Sequence, residues 1–443
     1  MCYSGATLFL FKFNPLKRKE SKVDEIIIKG GRSLKGEVIV GGAKNAALPI
    51  LAASLLVGGR FTFHNVPVLK DIDSIKELLS NMGASVETDG HTVYIDTANL
   101  NCFEAPYEQV RKMRASILVL GPLLSRMKKA RVSLPGGCAI GARPIDLHLN
   151  GLALLGADIR LEHGYVEAAC KKMKGAEIYF DVPTVTGTEN LMMAAVLAEG
   201  TTVLRNAARE PEIIALADTL NLMGADISGI GTAVITINGV TKLSPVTVSI
   251  IPDRIEAGTL MVAAALTKGD VRIKNCDPNH LQSIIHKLEK TGAAIEVFED
   301  AVRVKGSHPI HSIDIKTMPY PGFPTDMQAQ FMVLLSVANG FSVIAENIFE
   351  NRFIHVSELC RMGADITISG NHAMIKGVSK LSGAPVMATD LRASASLILA
   401  GLVATGTTIV SRVYHLDRGY ESLEKKLASL GATIKRVKAQ KSS

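Results

Sequence analysis

One loop of the sequence combines a thiol with a guanidinium group. Residues 134–144 read Leu-Pro-Gly-Gly-Cys-Ala-Ile-Gly-Ala-Arg-Pro, with Cys138 five positions before Arg143. The glycines and prolines exclude a helix or a central strand and predict a loop. A thiol beside fixed positive charge loses its proton more easily, and it can act as a nucleophile or a proton donor. The alternative is that Cys138 is a small apolar residue in a turn, the usual role of an isolated free cysteine.

Basic residues also stand at the start of three predicted helices. They are Lys44 with Asn45 before 46–56, Arg114 before 115–124 and Arg392 before 393–404. A cation at a helix N-terminus costs about 0.3–1 kcal/mol, whereas an anionic ligand binds well to the free N–H groups there. The repeated placement therefore indicates an anionic ligand. The run Gly41-Gly-Ala-Lys44 lacks the spacing of a nucleotide-binding P-loop, which excludes ATP hydrolysis.

Three predicted helices of the second half begin with an aspartate, namely Asp253, Asp326 and Asp390. Most aspartates in this position cap the helix. Asp326 differs because Thr325 beside it could cap instead. A carboxylate that is released from capping at the mouth of a cleft is a candidate general base. Both roles remain open for Asp326 at this point.

These residues belong to a chain of six similar units. A Gly-Ala pair after an amphipathic stretch recurs with its glycine at 83, 156, 224, 292, 363 and 431. Such regular steps of about 70 residues indicate internal repeats. Within a unit, helical stripes, short alternating stretches and an Asp-Gly turn predict the order βαβαββ. Six units, three in each half, predict an α/β protein of two similar domains.

The chain length of 443 residues also favours two domains. The first strand, predicted over 24–40, has no partner in its own half, so we expect it to pair with the last unit. The chain would then cross between the domains twice, making a hinge with a cleft as the default site. The predicted parts are a disordered tail 1–23, a C-terminal domain of 24–43 plus 252–443, and an N-terminal domain 44–251 that carries the Cys138 loop.

Composition excludes several classes of function. The net charge of +7 lies in the two ends, because residues 1–22 and the last nine residues each carry +4. A neutral body with 5% aromatic residues and no Trp does not favour nucleic-acid binding. Six cysteines without C-x-x-C or metal spacing predict free thiols in a reducing cytoplasm, and neither a metal nor a cofactor is expected. The uncharged run 393–411 is interrupted at 405–408, which predicts a buried helix followed by a strand rather than a membrane span.

Five motifs together resemble the UDP-N-acetylglucosamine 1-carboxyvinyltransferases, and they occur in family order across residues 23–437. They are Gly42-Ala-Lys-Asn-Ala-Ala-Leu-Pro49, Pro135-Gly-Gly-Cys138, Phe323-Pro-Thr-Asp-Met-Gln-Ala-Gln330, Asp390-Leu-Arg-Ala-Ser-Ala395 and Asp417-Arg-Gly-Tyr420. The resemblance implies two inside-out α/β barrels joined by a double hinge. It also implies transfer of enolpyruvate from phosphoenolpyruvate to the 3′-hydroxyl of UDP-N-acetylglucosamine with release of phosphate, the first committed step of peptidoglycan synthesis.

The resemblance further implies roles for individual residues. Cys138 corresponds to the lid thiol that takes part in proton delivery, and Asp326 to the carboxylate that takes the 3′-hydroxyl proton. Lys44, Arg143 and Arg418 correspond to the phosphoenolpyruvate clamp, with Asn45 beside the reacting sugar. The implied nucleotide-sugar contacts are Arg114, Arg143, Pro144, Ile145, Asp146, Leu147, Thr184 and Ile348, and the further active-site positions are Arg352, Asp390 and Arg392. Val182 departs from the family, because many members have a lysine there that contacts the diphosphate.

The cysteine in the lid leads to a first prediction. Some members of the resembled family carry aspartate at this position, whereas this chain carries Cys138. We expect stoichiometric fosfomycin to inactivate the protein by reaction with the Cys138 thiol, measured as residual activity after incubation. Activity retained after that treatment would contradict the assignment of the lid.

Two alternatives to this function remain at the level of sequence. The sister enzyme that acts on shikimate 3-phosphate shares the fold but lacks the cysteine-bearing lid. A non-catalytic paralogue could bind a nucleotide sugar and regulate. The presence of Lys44, Cys138, Asp326 and Arg418 together argues against a paralogue that has lost its chemistry.

Overall fold

The computed structural model describes residues 24–111, 113–134 and 145–438. The predictions for the tail 1–23 and for Cys138, Arg143 and Pro144 lie outside these residues.

The described chain is built from short strands that alternate with helices. The strands are β1 (Glu25–Lys29), β2 (Lys35–Ile39), β3 (Arg60–His64), β4 (Ser85–Asp89), β5 (Thr92–Asp96), β6 (Glu104–Ala105), β7 (Lys129–Ser133), β8 (Asp158–Glu162), β9 (Tyr165–Ala169), β10 (Glu177–Tyr179), β11 (Thr201–Arg205), β12 (Asp226–Ser228), β13 (Val234–Asn238), β14 (Thr247–Ser249), β15 (Asp270–Lys274), β16 (Ala294–Val297), β17 (Ala301–Lys305), β18 (Ile315–Lys316), β19 (Phe341–Ala345), β20 (Asp365–Ser369), β21 (His372–Lys376), β22 (Pro385–Met387), β23 (Thr407–Ser411) and β24 (Thr433–Val437). The α-helices are α1 (Lys44–Ala53), α2 (Lys70–Asn81), α3 (Tyr107–Val110), α4 (Leu120–Met127), α5 (Asp146–Leu154), α6 (Val185–Ala195), α7 (Pro211–Leu222), α8 (Arg254–Leu266), α9 (Gln282–Lys290), α10 (Gln328–Ser336), α11 (Val356–Arg361), α12 (Leu391–Val403) and α13 (Leu423–Ser429). The 3-10 segments are Ser54–Leu56, Arg114–Val119, Pro278–Leu281, Thr325–Met327 and Val413–Arg418.

These strands pair into six four-stranded sheets that share one pattern of strand directions, and three of the sheets take one strand from a distant part of the chain. In the sheet β6-β7-β9-β8, β6 runs parallel to β7, β9 is antiparallel to β7, and β8 pairs with β9. The other sheets have the orders β14-β3-β5-β4, β10-β11-β13-β12, β2-β15-β17-β16, β18-β19-β21-β20 and β22-β23-β1-β24. The predicted βαβαββ repeat is therefore confirmed.

The repeated glycines mark the helix ends, as predicted. The backbone φ angles of Gly83, Gly156, Gly224, Gly292, Gly363 and Gly431 lie between +90° and +105°. This left-handed region is where a helix commonly terminates, and only glycine adopts it without a steric cost. At Gly83 a Cβ would also lie 2.8 Å from the Asn99 carbonyl oxygen.

The buried apolar side chains form two clusters. The first core uses residues from Ala43 to Ile250, and the second core uses residues 26–40 and 255–430. Helices α1, α4 and α6 lie inside the first core, and α8, α10 and α12 inside the second. Five of these helices are buried on nearly all sides and lack the single apolar stripe of an amphipathic helix. The exception is α4, which is amphipathic and whose Arg126 and Met127 are only partly buried.

The N-terminal stretch is the main correction to the predicted elements. The segment 24–40 is two strands rather than one, because the chain turns at Gly31, whose φ is +92°. As predicted, β1 pairs with the last unit, where it lies between β23 and β24. By contrast, β2 runs parallel to β15 in the fourth unit.

The two segments that connect the cores lie side by side. Gly42 and Pro252 form an isolated antiparallel bridge. The Ala43 N–H donates to the Ile251 carbonyl at 2.7 Å, and the Asp253 N–H donates to the Gly41 carbonyl at 2.9 Å. A Cβ on Gly42 would lie 1.8 Å from the carbonyl oxygen of Asn65, so this close approach requires glycine.

The helices at the predicted anion site differ from expectation at their ends. The helix predicted over 46–56 begins at Lys44 and ends at Ala53, where the 3-10 segment Ser54–Leu56 follows. The helix predicted over 115–124 is the 3-10 segment Arg114–Val119 followed by α4. Pro122 in the first turn of α4 explains the division, because it has no N–H for an α-helical bond to the preceding turn.

The remaining run and the thiols follow expectation. The uncharged stretch 393–411 contains α12 and then β23. In the part of the chain that the structure describes, no helix is both long and apolar enough to cross a membrane. Cys102, Cys170, Cys276 and Cys360 are free thiols.

Candidate active site

Asp326 lies in the 3-10 segment Thr325–Met327 and does not cap it. Arg352 Nη2 lies 2.7 Å from Asp326 Oδ1, and Arg392 Nη2 lies 2.6 Å from Oδ2. Each carboxylate oxygen therefore accepts a charge-assisted hydrogen bond from a different guanidinium group. Because both arginine side chains are only 5% exposed, solvent screens these pairs very little.

The charges around Asp326 decide its protonation state. Burial alone would raise its pKa, but Arg392, Arg352 and Lys44 together hold the pKa well below its usual range. Burial lowers the pKa of Arg392, but Asp326, Tyr420 and Asp253 together more than offset this, so that its pKa is raised. The carboxylate and the guanidinium are therefore both ionised at neutral pH.

A second carboxylate, Asp71, holds two further cations. Lys44 Nζ lies 3.3 Å from Asp71 Oδ2, and Arg418 Nε lies 2.9 Å from Asp71 Oδ1. Burial lowers the pKa of Lys44, which also senses the charges of Asp71, Arg392, Asp326 and Arg418. We call the following six residues the charge cluster: Lys44, Arg352, Arg392, Arg418, Asp71 and Asp326. Sequence reasoning missed Asp71, because an acid in the first turn of a helix is common for reasons of the helix dipole.

Of the three aspartates that the sequence places at helix starts, Asp253 and Asp390 cap their helices, as is usual for this position. Asp253 Oδ1 accepts from the N–H groups of Ile255 and Glu256, at 2.8 and 3.1 Å. Asp390 Oδ1 accepts from the N–H groups of Arg392 and Ala393, at 2.8 and 3.0 Å. The Asp390 cap thus fixes the start of α12, from which Arg392 reaches Asp326.

Glu346 shapes the loop that carries Ile348 and Arg352. Its Oε1 accepts from the Thr317 hydroxyl and from the Ile348 and Phe349 N–H groups, at 2.9, 2.8 and 3.2 Å. Its Oε2 accepts from the Thr325 hydroxyl at 2.9 Å. Glu346 therefore joins this loop to the residue before Asp326, a contact that no motif indicated.

A buried polar network lies beneath the cluster. Gln330 Nε2 is 3.0 Å from the Asp326 carbonyl and 3.1 Å from the Tyr420 hydroxyl. The Thr259 hydroxyl lies 2.9 Å from that of Tyr420, and the Arg392 guanidinium lies 5.4 Å from the Tyr420 ring centroid. Arg392 Nη1 is buried without a hydrogen-bond partner among the described residues. Arg392 Nη1 is thus unsatisfied, while the neighbouring Asp326 carboxylate already accepts from Arg352 and from Arg392 Nη2.

Five residues that the resemblance implies for the nucleotide sugar lie at the starts of three segments, which the side chains of His148 and Asn190 connect, whereas Ile348 lies in the loop shaped by Glu346. Asp146 and Leu147 open α5 after Ile145, Thr184 caps α6 by accepting from the Gly187 N–H at 3.2 Å, and Arg114 opens its 3-10 segment. His148 Nδ1 lies 3.1 Å from Asn190 Nδ2, and His148 Nε2 lies 3.2 Å from the Thr186 hydroxyl. Asn190 also accepts from the Gly121 N–H and donates to the Ile117 carbonyl. Asn45 follows Lys44 in α1, and Val182 is 60% exposed before the cap.

Two buried histidines are expected to lower the free energy of unfolding in acid. Burial lowers the pKa of His148 and of His355 to about 4, and the charges of Arg114 and Arg352 act in the same direction. The unfolded chain binds these protons near pH 6.5, so stability is present above that pH and is lost as the pH falls toward 4. For His148 the expected loss between pH 7 and 4 is about 3 kcal/mol. We expect the urea midpoint, followed by circular dichroism, to fall over this range, and to fall less in His148→Asn. An equal fall in that variant would contradict the assignment.

In the described part of the chain, no group of three or more His, Cys, Asp or Glu side chains is arranged to hold a metal ion. The structure brings Lys44, Arg352, Arg392, Arg418 and Asp326 together. It places Arg114, Ile145–Leu147 and Thr184 around His148 and Asn190.

Known proteins resemble this chain over nearly its whole length. The family model described as EPSP synthase (3-phosphoshikimate 1-carboxyvinyltransferase) matches residues 28–427. The UDP-N-acetylglucosamine 1-carboxyvinyltransferases of Desulfosudis oleivorans and Geobacter metallireducens are 68% and 64% identical, and each alignment covers 94% of this chain and 100% of the relative.

Two solved structures share the fold. The enolpyruvyl transferase NikO from Streptomyces tendae superimposes with a TM-score of 0.85 at 25% identity, over 95% of this chain and 100% of that chain. An EPSP synthase from Acinetobacter baumannii gives a TM-score of 0.73 at 20% identity, over 94% and 100%. The predicted fold of two inside-out α/β barrels is thereby confirmed.

Proposed function

This chain belongs to the UDP-N-acetylglucosamine 1-carboxyvinyltransferases, and we propose that it transfers the enolpyruvyl group of phosphoenolpyruvate to the 3′-hydroxyl of UDP-N-acetylglucosamine, releasing phosphate. This is the first committed step of peptidoglycan synthesis. The observation that carries the proposal is the name shared by relatives that are 57% to 68% identical over 94% of the chain. It favours this reaction over that of the shikimate 3-phosphate enzymes, whose structure is related at only 20% identity.

The charge cluster suits phosphoenolpyruvate. Its four cations and two aspartates leave a formal excess of two positive charges, and phosphoenolpyruvate is a compact trianion. Lys44 and Arg418, with Arg143 of the loop 134–144, form the proposed clamp. Preorganised cations stabilise the charge that develops on the departing phosphate without reorganising during the reaction.

The reaction requires a base for the 3′-hydroxyl of the sugar and an acid for C3 of phosphoenolpyruvate. In the addition step the 3′-oxygen bonds to C2 of phosphoenolpyruvate, Asp326 takes the hydroxyl proton, and C3 gains a proton that Cys138 helps to deliver. In the elimination step C3 loses a proton and the bond from C2 to the phosphate oxygen breaks. A closing lid excludes water that would compete for the electrophilic C2.

Asp326 is a weak base while both arginines hold it. The carboxylate and phosphate of the substrate offer Arg352 and Arg392 an alternative anion. A guanidinium drawn toward the substrate restores basicity to Asp326, because a neighbouring cation is what holds the pKa down. Binding of phosphoenolpyruvate thus prepares the base for the hydroxyl that follows.

The nucleotide sugar is proposed to lie against Arg114, Arg143, Pro144, Ile145, Asp146, Leu147, Thr184 and Ile348, with Asn45 beside its reacting end. Asp390 acts through the cap that positions Arg392. We divide the domains at 43/44 and 251/252, so that the bridge between Gly42 and Pro252 is the hinge. The free thiols are typical of the cytoplasm, where we place the enzyme.

The function is tested by phosphate release from phosphoenolpyruvate with UDP-N-acetylglucosamine, with shikimate 3-phosphate, or with neither. We expect release only with the nucleotide sugar, and a product heavier than it by one enolpyruvyl group in mass spectrometry. Release with shikimate 3-phosphate would identify the sister activity. Binding of the nucleotide sugar without release would identify a non-catalytic paralogue.

A further inference from the structure

We propose that Asp71 is a positioning residue that sets the distance between Lys44 and Arg418 across the two cores, and thereby assembles the phosphoenolpyruvate site. The inference rests on the proposed function, because it assigns these two cations to the substrate anion. The aspartate would act through the two cations rather than on the reacting atoms.

The contacts of Asp71 cross the boundary between the cores. Asp71 lies in the first turn of α2, whose Ile72, Ile75 and Leu79 belong to the first core. Arg418 ends the 3-10 segment Val413–Arg418, which is anchored in the second core. Arg418 meets the carboxylate through Nε at 2.9 Å and Nη2 at 3.5 Å, and Lys44 meets it at 3.3 Å. One carboxylate thus holds a cation from each half of the protein.

Asp71 is suited to this task by its rigidity. Its side chain is 5% exposed, and the helix dipole of α2 stabilises negative charge at this position. A short side chain on a packed helix has little freedom to follow a mobile partner. The edge of the guanidinium formed by Nε and Nη2 faces Asp71, so the contact sets the orientation of the Arg418 plane as well as its distance.

A neighbouring contact between the cores offers a matched control. Glu421 accepts from the Val68 N–H at 2.9 Å and lies 2.9 Å from His91 Nε2. Glu421 therefore joins the same two surfaces as Asp71, but no contact in the described structure joins it to Lys44 or Arg418. If Asp71 only docked the two cores, removal of either Asp71 or Glu421 should have the same effect. If Asp71 positions the two cations, only the removal of Asp71 should disturb them.

The test compares Asp71→Asn, Asp71→Glu and Glu421→Gln in steady-state kinetics. For Asp71→Asn we expect kcat/KM for phosphoenolpyruvate to fall about 30-fold, consistent with loss of a charge-assisted pair, while KM for UDP-N-acetylglucosamine changes less than 3-fold. Asp71→Glu keeps the charge but displaces it by one methylene group, so it should recover at least 3-fold of that loss and still stay at least 3-fold below the unsubstituted protein. Glu421→Gln should change both parameters less than 3-fold. Circular dichroism melting establishes that each variant is folded, and Asp71→Glu carries the test alone if Asp71→Asn is not.

Three outcomes would overturn the inference. They are unchanged kinetics for phosphoenolpyruvate in folded Asp71→Asn, an equal loss in Glu421→Gln, and a lower KM for phosphoenolpyruvate, which would make Asp71 a competitor of the substrate anion. If Asp71→Glu is the only folded variant, kinetics equal to those of the unsubstituted protein would overturn it as well. These outcomes differ from failure of the proposed function, in which the unsubstituted protein itself would release no phosphate.

Discussion

Replacing Asp326 with asparagine is expected to lower kcat about 1,000-fold, within the range for loss of a general base. The amide cannot take the 3′-hydroxyl proton, but it occupies the same volume between Arg352 and Arg392. Since both arginines then lose their internal counter-ion, KM for phosphoenolpyruvate should stay constant or fall. Phosphate release at saturating and limiting phosphoenolpyruvate separates the two parameters.

The control for this variant is Asp270→Asn. Asp270 accepts from Arg303 Nε at 2.8 Å and Nη2 at 2.9 Å, so it is also an aspartate held by arginine, but in a half-exposed sheet pair. We expect less than a 2-fold change in kcat there. A kcat within 10-fold of the unsubstituted protein in Asp326→Asn would show that another group accepts the proton.

Replacing Arg392 with glutamine is expected to lower kcat/KM for phosphoenolpyruvate about 1,000-fold. The substitution removes a cation from the anion site and leaves Asp326 with one guanidinium partner in a buried setting, where breaking a pair costs about 3–5 kcal/mol. The ring of Tyr420 beneath Arg392 also loses its cation. Initial rates at varied phosphoenolpyruvate, with saturating nucleotide sugar, measure the effect.

Arg303→Gln serves as the matched variant, because it removes an arginine from an aspartate outside the charge cluster. Its kinetics should stay within 2-fold. If the loss in Arg392→Gln appeared instead as a raised KM for UDP-N-acetylglucosamine, Arg392 would belong to the sugar site and not to the anion site.

The fold could be predicted largely from local signals. The helix ends at the repeated Gly-Ala pairs require a left-handed residue, and that requirement is visible in the sequence as a fixed spacing. The two-strand division of 24–40 was missed, because β1 and β2 take different partners far along the chain. Gly30-Gly31 is a local signal for the turn between the two strands, whereas the pairing of β2 with β15 leaves no local pattern.

The site could be predicted only in part, for the same reason. The motifs indicated Lys44, Asp326, Arg392 and Arg418, but not which carboxylate each cation meets. Asp71 and Glu346 have no motif, and their importance comes from contacts between segments that are remote in sequence. The doubly held carboxylate of Asp326 is likewise a product of tertiary structure, and in the proposed mechanism it determines when this residue acts as a base.

The central claim is that Asp326 and the charge cluster converge on phosphoenolpyruvate beside the sugar hydroxyl. A crystal structure with UDP-N-acetylglucosamine and an unreactive phosphoenolpyruvate analogue tests it most directly. We predict an Asp326 carboxylate oxygen about 3 Å from the 3′-oxygen, with Lys44 and Arg418 on the analogue's phosphate group. A 3′-oxygen bonded to a different side chain, with Asp326 still held by both arginines, would contradict it.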